Sequence, residues 1–337
     1  MKSTIKDIQK KTGLSLSTIS KYLNGGNVKA GNRAILDEAV SALDFKVNQF
    51  ARSLKTNKSN MIGVLIPELN STFNAALIAY MEDLLRGSGY GVIICDSRGS
   101  EDGEKRAMEF LLDKKVDGIL TIPFPIRGRT LAMARKEKIP VVVIDHPVEG
   151  FESDAVIVNN RSVVRMAVNE IIGKGHLRIG MISGYDSIYT MRERRAGYRE
   201  ALSDGGIAYD SFLDVREEMT IAGGYNGFKQ MMRQAPPPTA VFLANYELTL
   251  GAVIAMNEMG VKIGADISVI GFDNLELAKV IVPKLTVVMQ PMEEISKTAV
   301  ELLLKRLAAG DYPPETVMLE AWLEEGNSVN AVTQSLE

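Results

Sequence analysis

The sequence predicts a small all-α headpiece joined to a two-lobed α/β body with parallel sheets. Three observations carry this: a basic first sixty residues, two short helical segments split by Gly13, and a strand–helix alternation that runs twice through the remainder. At roughly 100–200 residues per domain, 337 residues imply two or three folding units. A composition 46% apolar and 24% charged is that of an ordinary globular protein. The longest apolar runs, such as Met61–Pro67 and Pro140–Ile144, are strand-length and far short of the ~20 residues that span a bilayer. The opening Met1–Asp7 lacks the apolar stretch of a signal peptide, so a cytoplasmic protein is expected. The lone Cys95 excludes an intramolecular disulfide and a cysteine-based zinc cluster, and two histidines, His146 and His176, exclude a His-rich metal site. No cofactor is expected.

Net charge is −3, a total that hides its distribution. Residues 1–60 carry eleven Lys/Arg and four Asp/Glu, a balance of +7, leaving 28 against 38, or −10, on the other 277. Such asymmetry fits a basic module facing nucleic acid on an acidic body, and it equally fits a solvated basic face.

Within the basic module, Thr4 is an N-cap with Asp7 three residues on, and Ile5 and Ile8 share one helix face ending at Thr12-Gly13. Leu14 is an apolar pin. Ser15 caps a second helix in which Ile19, Tyr22 and Leu23 face a core while Ser17, Thr18, Ser20 and Lys21 face outward. Two short helices around a glycine turn read as helix-turn-helix, whose second helix enters the major groove. A third helix over 32–43 supplies Leu36, Ala39, Val40 and Leu43. The polar run Thr56–Asn60 then reads as a linker.

In the body, 61–66, 91–95, 118–122 and 140–144 read as strands of a first lobe, and 178–183, 239–244, 267–272 and 285–289 as strands of a second. Helical patterns such as 75–87, 103–114 and 161–174 lie between them, which gives parallel sheets covered on both faces. Ligands of such sheets bind at the carboxyl ends of strands. Asp96, Asp145, Asn245 and Asp273 each stand where a strand stops. Any one could simply cap the following helix; together they suit a ligand rich in hydroxyls, which donate and accept.

The segments Thr18–Asn24, Phe45–Asn48 and Ala51–Leu54 resemble the DNA-binding headpiece and hinge helix of the LacI family of repressors. Ile179–Gly184, Arg194 with Gly197-Tyr198, Asp266–Asp273 and Leu285–Pro291 resemble that family's body, and the likeness covers about 325 residues. It implies a helix-turn-helix headpiece at 1–47, a hinge helix and linker at 48–59, and a periplasmic-binding-protein-like (type I) body at 60–337. The implied lobes are 60–158 plus 291–317, and 159–290 plus 318–330. It also implies base reading by Leu16, Ser17 and Lys21, and phosphate contacts by Thr4, Ser15, Thr18, Ser20 and Asn24. Asn48 would cap the hinge helix and Leu54 would wedge into the minor groove. Asp145, Arg194, Asn245 and Asp273 fall on effector-contacting positions, Phe73 and Asn74 on the pocket segment after the first strand, and Met219 and Met292 on apolar walls.

The sequence departs from the pattern in several places. Lys21 replaces the usual arginine and lacks its bidentate fork, and Val47 replaces the proline before Asn48. His146 follows Asp145, Tyr246 follows Asn245, and the pocket segment reads Ser71-Thr72-Phe73-Asn74. Tyr246 is placed either to stack on a sugar ring or to pack.

The expected protein is therefore a homodimeric, allosteric repressor of pseudo-palindromic double-stranded DNA, controlled by a small effector of sugar type. Two alternatives are a regulator of the same build controlled by a phosphoprotein, and a sugar-binding protein without regulatory DNA binding. The tail 327–337 is too short for a heptad seam, which favours a dimer over a tetramer. No P-loop, dinucleotide glycine fingerprint, nucleophile elbow or HExxH is present, so no enzyme is expected.

Overall fold

The computed structural model describes residues 3–23, 26–45, 58–123, 128–273, 276–310 and 312–332. The chain divides into two compact units, Met1–Asn60 and Met61–Glu337.

In the first unit α1 (Ile5–Thr12), α2 (Leu16–Leu23) and α3 (Ala30–Ala42) enclose Ile8, Ile19, Leu36 and Ala39. Ile5, Leu14, Tyr22, Leu23, Val40 and Leu43 close around that centre, with Phe45 beside them. These are the apolar positions that helical periodicity selects. The Asp7 carboxylate accepts from the Thr4 amide at 2.8 Å and the Thr4 hydroxyl at 2.7 Å, which starts α1. Gly13 ends it at φ 68°, a left-handed conformation glycine adopts without steric cost. The second helix starts where the Ser15 hydroxyl accepts from the Thr18 amide.

The second unit holds two six-stranded sheets. The first comprises β1 (Met61–Ile66), β2 (Gly91–Asp96), β3 (Gly118–Thr121), β4 (Val141–Ile144), β5 (Asp154–Val158) and β11 (Thr316–Leu319), in the order β11-β5-β4-β3-β1-β2. The second comprises β6 (Ile179–Ser183), β7 (Asp214–Arg216), β8 (Ala240–Leu243), β9 (Ser268–Phe272), β10 (Thr286–Met289) and β12 (Trp322–Glu324), in the order β12-β10-β9-β8-β6-β7. The two orders are equivalent strand for strand. Every pairing is parallel except β10 with β12. All eight sequence-read strands form within a residue or two of their expected bounds. The short β5, β7, β11 and β12 had no sequence signal of comparable strength.

The helices α4 (Thr72–Gly87), α5 (Glu101–Asp113) and α6 (Leu131–Lys136) belong to the first sheet. Around the second lie α7 (Asn160–Gly173), α8 (Tyr189–Asp204), α9 (Ile221–Met231) and α10 (Tyr246–Met259). After β10 the chain returns to the first lobe, where α11 (Met292–Ala309) buries Ile295, Ala299 and Leu303 against Leu77, Met81 and Leu85 of α4. The last crossover falls after Leu319, not between 317 and 318 as expected, because β11 keeps its parallel register with β5 as far as Leu319↔Val158. Asn159 ties two crossovers together: its side-chain oxygen accepts from the Ala321 amide at 2.8 Å and its amide donates to Glu320.

His176 is part of this framework. Its ring bonds the Thr239 hydroxyl at 2.8 Å and the Asn330 carbonyl at 2.9 Å, and burial pulls its pKa down. A second buried network joins Arg195 to Asp214 at 2.9 Å and to the Ser183 hydroxyl at 2.5 Å, while Tyr209 and Arg199 complete the Asp214 carboxylate.

Candidate functional site

Two surfaces gather the polar side chains singled out in the sequence. On the headpiece, Ile19 anchors α2 in the core, and its burial turns Leu16, Ser17 and Lys21 outward together. Leu16 is 42% exposed, high for a leucine at the start of a helix. The Ser15, Ser17 and Thr18 hydroxyls form one hydrogen-bonded cluster, at 2.8 Å and 2.9 Å from Ser15. Such hydroxyls at a helix start, where free amides point outward, suit phosphate oxygens. Thr4 is exposed and already bonded to Asp7, and Ser20 is half-buried. Asn24, Asn48 and Leu54 lie outside the described residues.

The second surface lies between the lobes of the body, at the carboxyl ends of the strands. Asp145 follows β4 and Asp273 follows β9, strands that occupy the same place in the two sheet orders. Both adopt left-handed backbone, at φ 78° and 80°. Aspartate tolerates that region better than most residues, and such outliers concentrate where function over-determines the chain. Arg194 of α8, buried at 3% exposure, lies within electrostatic reach of both aspartates. Its Nε donates to Asn160 Oδ1 at 2.8 Å, its Nη1 donates to the Ala244 carbonyl at 2.5 Å, and the guanidinium lies 3.5 Å above the Phe272 ring. Burial pulls the guanidinium pKa down, while Asp273 and Asp145 push it up. Burial pushes the Asp273 carboxyl up, and Arg194 and a hydrogen bond from Gln290 oppose that rise. Gly197, one turn along α8, lets this helix approach α7; a Cβ there would overlap the Arg161 carbonyl oxygen.

Contacts cross the cleft. His146, beside Asp145, stacks on Tyr189 of α8 with ring centroids 6.4 Å apart at 25°. Its Nδ1 lies 3.4 Å from the Asp145 carboxylate, and its buried Nε2 has no hydrogen-bond partner among the described residues. In the first turn of α10, burial pushes the Glu247 carboxyl up to about 7, and the charges of Asp273 and Glu68 add to that rise.

Other expected site residues serve their own loops. The Asn245 side-chain oxygen Oδ1 accepts from the Leu248 amide at 2.9 Å as an N-cap, and its side-chain Nδ2 donates to Glu247. Asn74 donates to the Glu68 carbonyl at 2.7 Å. Asp96, the last residue of the edge strand β2, accepts from the Arg98 amide at 2.7 Å and stands apart from the Arg194 group. Phe73 packs on the core of the first lobe, Met292 is buried within it, and Met219 and Tyr246 pack on cores of the second.

Sequence reasoning missed Asn160, Tyr189, Glu247 and Gln290. Gln290 follows β10 as Asp273 follows β9, so the strand-end rule could have found it. Asn160 opens α7, and no sequence rule for strand ends reaches it. Among the described residues, no helix is long and apolar enough to cross a membrane.

Residues 168–329 match the family described as periplasmic binding protein-like domain. The Lac repressor dimer bound to operator and the anti-inducer ONPF has a similar structure, with a TM-score of 0.87 at 24% identity over 98% of this chain and 100% of that one. A LacI family transcriptional regulator from Enterococcus faecium with bound ribose has a TM-score of 0.74 at 27% identity, covering 81% of this chain and 100% of that one. The HTH-type transcriptional repressor PurR of Yersinia enterocolitica is 33% identical over 330 residues, which are 97% of each chain. With a three-helix headpiece, two equivalent parallel-rich lobes and that end-to-end likeness, the chain belongs to the LacI family of DNA-binding transcriptional repressors.

Proposed function

We propose that this repressor holds a pseudo-palindromic operator as a homodimer, and that an uncoded small polyol of sugar type, bound between its lobes, sets its operator affinity. The observation that carries the reading is the Asp145–Arg194–Asp273 group. Two strand-end carboxylates, one from each lobe, lie within electrostatic reach of one buried guanidinium, which supports this reading. Vicinal hydroxyls can donate to the carboxylates and accept from the guanidinium at once. Asn160 and Gln290 fix the orientation of Arg194 and Asp273. The ribose of the E. faecium regulator supports the same ligand class.

Leu16, Ser17 and Lys21 would read base edges, and Thr4, Ser15, Thr18, Ser20 and Asn24 would hold phosphates. Asn48 would start the hinge helix that carries Leu54. Exposed apolar side chains on both lobes suit a dimer contact, including Tyr80 and Leu84 of α4, Ile94 of β2, and Val280 and Val282 of the second lobe. A chain that works on operator DNA is placed in the cytoplasm, and we assign it no catalytic reaction. The effector acts only through differential affinity for two arrangements of the lobes, a coupling of ~1–3 kcal/mol.

Operator selection from random duplexes tests the DNA half, and a palindromic consensus is expected. Titration of that operator complex with a panel of neutral sugars tests the effector half. Selection without a consensus, or operator affinity indifferent to the whole panel, overturns the corresponding half.

A further inference from the structure

The first lobe meets helix α8 of the second through one dipeptide. Asp145 lies within electrostatic reach of Arg194, and its neighbour His146 stacks on Tyr189, five residues earlier on the same helix. The two rings stand 6.4 Å apart between centroids, at an interplanar angle of 25°. The Arg192 guanidinium lies 5.5 Å from the centroid of the Tyr189 ring and steadies that ring from its own helix. Within the dipeptide, His146 Nδ1 lies 3.4 Å from the Asp145 carboxylate. Nδ1 thus has a partner, whereas Nε2 is buried with none among the described residues, on a side chain that is 5% exposed.

Two effects oppose each other at this contact. The ring stack favours the arrangement of the lobes described here. The buried nitrogen disfavours it, because a polar atom taken from water and left without a hydrogen bond bears the full loss of its hydration. An imidazole that left the Tyr189 ring would regain water at Nε2 and give up the stack. Resting on the reading that two arrangements of the lobes set operator affinity, we propose that His146 and Tyr189 form a balanced clamp between the lobes. Their ring contact holds the present arrangement, and the unpaired His146 Nε2 keeps it from locking.

Substitution of each partner separates the two effects. His146→Phe keeps a ring for the stack and removes the unpaired nitrogen, so it favours the present arrangement. Tyr189→Leu removes the stack and leaves the nitrogen buried, so it disfavours that arrangement. Tyr189→Phe keeps the stack and is the conservative control. The contact of Nδ1 with Asp145 joins adjacent residues of one first-lobe loop, so its loss in His146→Phe weighs equally on both arrangements. A role in fold stability alone would not move the two arrangements in opposite directions.

Double electron–electron resonance on the full chain, diluted with unlabelled chain, would measure the distance between two spin labels. One sits at Lys136→Cys of the first lobe and one at Ser203→Cys of the second, both exposed positions, in a Cys95→Ser background. His146→Phe should raise the population of the present arrangement over the alternative by about threefold or more, and Tyr189→Leu should lower it by a similar factor. Tyr189→Phe should match the wild type. Operator affinity without effector should then move in opposite directions in His146→Phe and Tyr189→Leu. Should Tyr189→Leu fail to fold, as its urea midpoint would reveal, His146→Phe decides the proposal alone. Distances that shift the same way in both variants, or in neither, overturn the clamp. Opposite distance shifts with unchanged operator affinity leave the clamp standing and overturn the reading that lobe arrangement sets operator affinity.

Discussion

The guanidinium of Arg194 lies 3.5 Å above the ring of Phe272, one residue before Asp273. This contact does two things. It desolvates one face of a charge that burial already disfavours, and it aims the edge of the guanidinium at the cleft. Helix α8 and strand β9 are thus joined directly at Arg194 and the end of β9.

Replacing Arg194 with lysine keeps a charge but loses the planar stack and the Asn160 bond. Effector affinity should fall at least tenfold while operator affinity without effector stays unchanged. Trp322, the only tryptophan, follows directly on the last crossover and reports on it by fluorescence. An effector-dependent emission change that persists unaltered in Arg194→Lys would contradict the assignment.

Lys21 is the longest outward side chain among the expected base readers of α2. Lys21→Ala should cost ~1–3 kcal/mol of specific binding and relax selection at one position in each half-site. A uniform loss across all sequences, with a shallower salt dependence, would make it a phosphate contact instead.

Leu54 falls among residues the structure does not describe, so its role rests on the sequence resemblance. Leu54→Ala should weaken operator binding far more than non-specific binding, since a wedge acts only where the duplex kinks. Gel-shift titrations on operator and random duplexes measure both. Equal losses would make Leu54 a packing residue.

Arg195 and Asp214 form an ion pair with side chains 2% and 1% exposed. Arg195→Met should destabilise the second lobe by ~3–5 kcal/mol, because it strips the buried carboxylate of its main partner. Burial raises the Asp214 pKa, but Arg195, Tyr209 and Arg199 together bring it below the 3.8 of a free carboxyl. A depressed carboxyl stabilises the fold at pH values above its unfolded pKa. That contribution is lost as pH falls below about 4 and through the folded value. Urea midpoints between pH 3 and 6 should drop steeply for the wild type and less for Asp214→Asn.

The headpiece was legible because its logic is local. Gly13 stops one helix, Ser15 starts the next, and Ile8, Ile19 and Leu36 follow helical spacing. The sheets were legible for the same reason, except at β5, β7, β11 and β12. The cleft was legible only in part. Asp145 and Asp273 announce themselves at strand ends, but nothing in the sequence says that α7 opens against α8, which makes Asn160 the partner of Arg194. Glu247 stands in the first turn of α10, where an acid is ordinary. Its partial burial depends on tertiary packing that no local pattern encodes.

The central claim is that one ligand, seated on Asp145, Arg194 and Asp273, controls the grip of the headpieces on DNA. Fluorescence anisotropy of the selected operator, titrated with full chain in the presence and absence of a polyol that binds, tests it most directly. The account predicts a 5- to 150-fold change in operator affinity, from a coupling of about 1–3 kcal/mol, that disappears in Arg194→Lys. An operator affinity that stays the same while the cleft is saturated would contradict it.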